Sequence, residues 1–283
     1  MLLFINNVIL ACDIISNMGK TKLKDIAEKA GCSITTVSYV LNDVQSQKIN
    51  PATKKKIIQL ATLLGYQKNP YATKLAGGKS NLIGIYFAKN SFSLQVADNI
   101  KVLDKIINAL KEKGFDVLLL PDNFEATIQM VDAIICFGVS DQEFVTISDN
   151  NNIPVIAYEC LAHEKWVFEV RELYQNINRK YDIGKDYTLV TYKSKSKKTN
   201  EEIISANPHT LFVTSYEDLD SISKVIKTSS IIVAGNELYE YLKSKIPNAI
   251  HHISPEYEMI NKLVECVETG LSHVDVDSHH FAY

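Results

Sequence analysis

The stretch "LKDIAEKAGCSITTVSYVLN", residues 23–42, decides how the head of this chain folds. Leu23, Ile26, Ala27 and Ala30 fall at i, i+3, i+4 and i+7, one apolar stripe of a helix. Thr21 is expected to cap its start, and Gly31 to take the left-handed conformation that ends it. Ser33 then caps a second helix after a very short turn, with Val37, Val40 and Leu41 turned inward. Thr35, Ser38, Tyr39 and Asn42 are left on the outer face, too small and neutral for a charged surface and too polar for a core. Downstream, Asn50-Pro51 reads as a cap followed by proline at the first helical position. It opens a third helix with Ile57, Leu60, Ala61 and Leu64 on one stripe and Gly65 at its end. Two helices joined by a short glycine turn are the helix-turn-helix signature. A helix that enters a major groove needs small or flat polar side chains that approach base edges closely.

Charge points the same way. The chain has 283 residues and a net charge of −3. Between Gly19 and Ser80 there are 11 lysines against Asp25, Glu28 and Asp43, so this segment carries +8 and the remainder −11. A basic head on an acidic body suggests a polyanion-binding module joined to something else. Apolar residues at 46 % and charged residues at 22 % are an ordinary globular balance. The five cysteines, at 12, 32, 136, 160 and 266, have no metal-ligand spacing and form no disulfide framework, which fits a reduced, cytoplasmic setting. The opening "MLLFINNVILACDIISN" lacks a basic start, is interrupted by Asn6, Asn7 and Asp13, and is too short to span a bilayer. Residues 1–18 are expected to be an extension outside the fold, with Met18 a candidate start.

Residues 19–66 form the expected helix-turn-helix domain, and 67–80, "YQKNPYATKLAGGKS" without its first tyrosine, a hinge helix and linker. From residue 81 to 283 apolar runs alternate with helix-like stretches. The runs are "LIGIYFA", "FDVLLLP", "VDAIICFG" and "IPVIAYE", then, after a break at 160–186, "YTLVTY", "TLFVTS", "SIIVAG" and "AIHHIS". Strands alternating with helices predict parallel, doubly wound α/β sheets, and two sets of four predict two similar lobes. Such folds bind ligands at the carboxyl ends of their strands, and between lobes where there are two.

These residues resemble the LacI/GalR (lactose/galactose repressor) family over roughly residues 21–87. The resemblance rests on "LKDIAEKAGCSITTVSYVLN" and on "NPATKKKIIQLATLLGYQKNPYATKLAGGKSNLIGI". It implies an N-terminal all-α helix-turn-helix domain plus hinge helix. Behind these it implies a C-terminal α/β, two-lobed, periplasmic-binding-protein-like core with parallel sheets. The implied function is a sequence-specific transcriptional regulator, most often a repressor of carbohydrate-utilisation genes, acting as a homodimer on a pseudo-palindromic double-stranded DNA operator. The helix Ile34 to Asn42 would be the recognition helix. Ser33, Ser38 and Asn42 would meet the backbone, Ile34 and Thr35 would read bases, and Thr36 and Tyr39 would also contact the DNA. The hinge helix, with Asn69, Ala72 and Leu75, would lie in the minor groove, where Leu75 would wedge into a base step. Lys22, Lys24, Thr53, Lys54, Lys74 and Lys79 would contact phosphates, which position the protein without reading sequence. A sugar or sugar-phosphate effector would bind near Ser91, Tyr158, Asn236 and Glu237. The alternative is a body that serves only dimerisation or protein docking.

Two departures from the family pattern matter. Tyr39 stands where the family most often has arginine, so bidentate reading of guanine is unavailable there. The body is also short for the family, and "IPVIAYE" is expected to be the last strand before the crossover between lobes. Other signals point nowhere specific. "AGGKS" lacks the spacing of a phosphate loop. His251 and His252 on one strand point to opposite faces, against a metal site. "KSKSKK" at 193–198 reads as a solvated loop beside a helix start. Trp166 and Tyr158 read as core more readily than as a sugar-stacking pair. No catalytic set can be assembled from spacing, and no cofactor is expected.

Overall fold

The computed structural model describes residues 21–42, 48–66, 79–162, 164–172, 174–175, 177, 186–225, 230–246, 250–253, 256–272 and 276–283. The chain divides into two compact units, Met1–Asn69 and Pro70–Tyr283. The extension 1–18 and the hinge residues Asn69, Ala72, Lys74 and Leu75 lie outside the described residues.

The first unit holds α1 (Leu23–Ala30), α2 (Ile34–Leu41) and α3 (Pro51–Leu63). Ile26, Val37 and Ile57, one from each helix, are fully buried, and Ala27, Ala30, Val40 and Ala61 close the gaps between them. Burying one such aliphatic side chain contributes about 1.5–3 kcal/mol, so a charge at Val37 would dismantle the bundle. Gly31, at φ 69°, ends α1. Its N–H donates to the Glu28 carbonyl at 3.3 Å and that of Cys32 to the Ala27 carbonyl at 3.1 Å. This pair of bonds satisfies the last carbonyls of the helix and turns the chain sharply. Thr21 does not cap α1. Lys22 is the capping residue, its N–H donating to Asp25 Oδ2 at 2.7 Å. The Thr21 hydroxyl instead donates to the Leu64 carbonyl at 2.7 Å, tying the start of α1 to the end of α3.

The second unit begins with β1 (Leu82–Phe87), α4 (Ser93–Glu112), β2 (Asp116–Leu119), β3 (Ala133–Phe137), α5 (Asp141–Asn150), β4 (Val155–Tyr158) and β5 (Glu169–Arg171). There follow β6 (Tyr187–Tyr192), α6 (Lys197–Ala206), β7 (Thr210–Val213), α7 (Tyr216–Val225), β8 (Ser230–Ala234), α8 (Asn236–Lys245), β9 (Ile250–Ile253), α9 (Glu256–Ser272) and β10 (His280–Ala282). One sheet runs in the order β10-β5-β4-β3-β1-β2 and the other β7-β6-β8-β9. All their pairings are parallel.

Side-chain alternation builds both faces of the first sheet. On β3, Ala133, Ile135 and Phe137 face α4 and α9, while Ile134 and Cys136 face α5. The amphipathic α9 returns from the second lobe and buries Met259, Ile260, Leu263, Val264 and Val267 in the first lobe's core. In the second lobe, Val190, Ile231 and Val233 meet Leu219, Ile222, Leu238 and Leu242 on one face. Leu189, Ile232 and Ile253 meet Ile203 on the other.

All eight apolar runs are strands, but β4 is not the last before the crossover. β5 follows it inside the supposed break, and β10 pairs beside β5. Each has three residues, too few for a period to show in sequence. The link from β2 to β3 carries no helix.

Candidate nucleic-acid interface and effector cavity

Helix α2, the helix expected to enter the groove, starts at Ser33, whose hydroxyl accepts from the Thr36 N–H at 3.0 Å and lies 2.9 Å from the Thr36 hydroxyl. Ser33, Ile34, Thr35 and Asn42 are exposed, with Ile34 at 49 %, while Thr36, Ser38 and Tyr39 are half-buried. The Asn42 amide donates to the Ser38 hydroxyl at 3.2 Å across one turn, setting both on the same face. The helix thus presents hydroxyls, an amide, a phenol and one isoleucine, with no charge of its own. Exposed Lys22 and Lys24 flank it on α1, and half-buried Thr53 and exposed Lys54 on α3. Lys24 also lies 3.8 Å from Glu28, a solvated pair that leaves the ammonium accessible.

Lys79 belongs elsewhere. It is part of the second unit, and its ammonium donates to the Leu271 carbonyl at 2.9 Å, near the end of α9. A cation at a helix C-terminus is favoured by the carbonyls left unpaired there. Lys79 is nonetheless an exposed residue.

Within the second unit a cavity of about 180 Å3 lies between the two sheets. The carboxyl ends of the parallel strands supply much of its wall, the usual place for a ligand in open α/β sheets. Gly138 follows β3, Tyr158 and Glu159 end β4, Arg171 and Glu172 end β5, and Ser194 and Lys195 follow β6. Gly235 and Asn236 follow β8. Helices α4, α6 and α9 add Gln95, Asp98, Thr199 and Glu256.

Of the four effector residues expected from sequence, Tyr158 and Asn236 line this cavity and Ser91 and Glu237 do not. Glu237 turns its carboxylate to the Lys101 ammonium on α4. Beside Ser91 it is Phe92 that is used. Its ring is buried in the second lobe's core, edge-on to Tyr216 at 5.3 Å and to Tyr192 at 6.0 Å. Tyr158 packs edge-on against Phe137 at 5.1 Å, and burial pushes its phenol well up, so it is a neutral wall. Trp166 is 69 % exposed and belongs to neither core nor cavity. His252 stacks on Tyr239 at 4.7 Å. Among the described residues no cluster of three metal-ligating side chains occurs, and no helix is long and apolar enough to cross a membrane.

The residues that sequence reasoning missed are the charged ones. Asp98 clasps the lobes together. Its carboxylate, on α4, accepts from the Tyr192 hydroxyl at 2.6 Å and from the Glu237 N–H at 2.9 Å, both in the second lobe. Burial pushes its carboxyl up, and those two donors pull it partly back. Gly235 is built around this contact. At φ 122° it passes so close that an added Cβ would lie 2.9 Å from Tyr192 Cε2 and 3.1 Å from Asp98 Oδ2. Arg171 crosses between the lobes as well, bonding Glu169 at 2.7 Å and Glu202 at 2.5 Å. Glu159 stands at φ 53°, a left-handed conformation uncommon for any residue but glycine. Its Oε1 accepts from the Glu172 N–H at 2.7 Å. Burial pushes its carboxyl up to about 7, against the pull of that N–H and of Arg171. A search of the positions just past the carboxyl end of each legible strand would have found Glu159 and Lys195, whereas Arg171 and Glu172 follow from β5, which sequence did not show.

Comparison with known proteins agrees with this reading. Residues 22–69 match the family model described as bacterial regulatory proteins, lacI family. A relative described as the probable HTH-type transcriptional repressor ExuR of Bacillus subtilis is 38 % identical over 143 residues. That match covers 47 % of this chain and 41 % of the relative. The sucrose operon repressor of Lactococcus lactis is 25 % identical over 315 residues, covering 90 % of this chain and 95 % of that one. For the three curated relatives matched first, the shared segment spans only 19–41 % of their length. Among solved structures, the lac repressor dimer bound to operator and the anti-inducer ONPF aligns over 93 % of this chain and 96 % of its own, with a TM-score of 0.64 and 15 % identity. At that identity the likeness is one of fold.

Proposed function

We propose, for a chain that belongs through its head to the LacI family of bacterial regulatory proteins, that it is a sequence-specific transcriptional repressor acting in the cytoplasm as a homodimer. The observation that carries this is the uncharged polar outer face of α2, held on a glycine turn beside lysine-rich helices. Ile34, Thr35 and Tyr39 read base edges in the major groove, while Ser33, Thr36, Ser38 and Asn42 fix the helix on the backbone. Lys22, Lys24, Lys54 and Lys74 supply phosphate charge, with Thr53 as a neutral donor, and Asn69, Ala72 and Leu75 engage the minor groove at the operator centre. Tyr39 in place of arginine offers a ring to a thymine methyl or a sugar and no fork to guanine.

A small hydroxylated effector, of the sugar or sugar-phosphate class, binds in the cavity between the lobes and alters operator affinity. The walled cavity, with clasps across it from Asp98 and Arg171, favours this over a body that only dimerises. Regulation requires that the effector bind the closed and open lobe arrangements unequally.

The test is selection of bound fragments from genomic DNA by the purified full chain, followed by affinity against salt. A pseudo-palindrome with a deformable centre should be recovered, and its affinity should fall steeply as salt rises. Recovery of no common motif would overturn the reading.

A further inference from the structure

Helix α4 belongs to both lobes. It follows β1 of the first sheet, and its later turns bury Leu103, Ile106 and Leu110 in the first lobe's core. Its start does the opposite. Phe92, the residue before the helix, is buried with Val190, Val213, Leu219, Ile222 and Leu238 of the second lobe, and half-buried Leu94 packs against the same cluster. Phe92 occupies the cap position, where a polar side chain would satisfy a free N–H, and its ring makes no such bond. The residue is placed for packing and not for capping. Polar groups on the same stretch cross as well. The Ser93 hydroxyl lies 2.9 Å from that of Tyr216, Asp98 receives its bonds from Tyr192 and Glu237, and Lys101 pairs with Glu237.

The changeover from one lobe to the other falls between Lys101 and Leu103, near the middle of a continuous helix. Sharp bends in helices occur at proline, at glycine or serine pairs, or where a group inserts into the hydrogen-bond ladder. The sequence "KVLDKI" at 101–106 contains neither proline, glycine nor serine. Separation of the lobes must then pull one end of α4 out of a core. The later turns hold three buried aliphatic side chains in the first lobe, whereas the start holds one buried ring and one half-buried leucine in the second. The start is the end that yields. Its polar bonds can be exchanged for bonds to water at small net cost, but the ring and its seat both lose apolar burial.

We propose that Phe92 is a plug carried by α4 into the second lobe, so that opening the cavity and loosening the second lobe's core are one event. The plug's seat includes β7 and α7, which supply no residue to the cavity wall. Whatever fixes the angle between the lobes therefore also orders these two elements, whichever ligand the cavity takes.

The test is hydrogen exchange and small-angle scattering of the full chain in Phe92→Ala, Phe92→Leu and Ile222→Ala. Phe92→Ala should scatter as a more open particle. Its amides in β7 and α7 should exchange about tenfold faster or more, while those of β1 and β3 stay as in the parent. Phe92→Leu, a smaller plug, should move both readouts part of the way, and it carries the test if the alanine variant does not fold. Ile222→Ala damages the same core from α7, so it should speed exchange there and leave the scattering unchanged. If Phe92→Ala behaves as Ile222→Ala does, or as the parent does, the ring is core packing alone and the proposal is overturned. Opening without faster exchange in α7 overturns it too, because the two events would then be separate.

Discussion

Replacing Asp98 tests the mechanics of the body most directly. Asp98→Ala deletes the acceptor of two interlobe hydrogen bonds and leaves the Tyr192 hydroxyl and the Glu237 N–H without a partner. A buried polar group stranded in this way costs about 1–3 kcal/mol, so two of them point to a loss of about 3 kcal/mol. The burial that raises the carboxyl of Asp98 works against this total, because the variant no longer desolvates a charge. Asp98→Asn keeps an acceptor for the N–H and should fall between parent and alanine. Lys101→Ala is the control. Its ion pair with Glu237 also crosses the lobes, but the lysine is solvated and the pair screened, so stability should stay where it was. The assay is urea unfolding of the body together with small-angle scattering of the full chain. Asp98→Ala should unfold earlier and scatter as a more open particle. If it stays within about 0.5 kcal/mol of the parent, the range of an ordinary surface change, and scatters identically, the clasp does not hold the lobes.

Other outcomes follow from the same geometry. Gly235→Ala should reproduce the clasp defect. It forces a Cβ against Tyr192 and Asp98 at a backbone conformation that L-residues rarely adopt, and the loss of closure should appear in the same scattering experiment. Ser33→Ala removes the cap of α2, at a cost of about 1 kcal/mol, to be measured in a thermal melt alongside a weaker operator affinity. Glu159 sets a pH dependence. Folded, it keeps its proton up to about 7, whereas its ordinary value is 4.5. The folded state therefore binds more protons between those values. Its contribution is greatest below 4.5, falls as pH rises to about 7, and is level above. The span is on the order of 3 kcal/mol, and urea midpoints against pH should flatten across this window in Glu159→Gln. The Glu172 N–H and Arg171 hold the window down and Glu169 pushes it up, so substitutions at Arg171 or Glu169 would move it.

The amino-acid sequence by itself determined the local structure. The stripe of Ile26 and Ala30, the glycine at 31 and the serine at 33 are each read within one or two helical turns, and all three do in the fold what their spacing implies. The eight apolar runs are strands because a parallel strand covered on both faces is apolar at nearly every consecutive position. What failed was either very short or spent on a distant partner. β5 has too few residues to show a period, and Thr21 bonds a carbonyl 43 positions away. The cavity belongs to the same class. Asp98 reads as one more acid on an amphipathic helix until β6 and β8 bring Tyr192 and Glu237 against it. Arg171 and Glu159 acquire a role only because β4 and β5 end at the same edge as β6 and β8. Periodicity records which face of an element is buried, since that is set by neighbours along the chain. Which elements share an edge is set by sheet order and crossover, and only the tertiary structure decided that these charges would face one another.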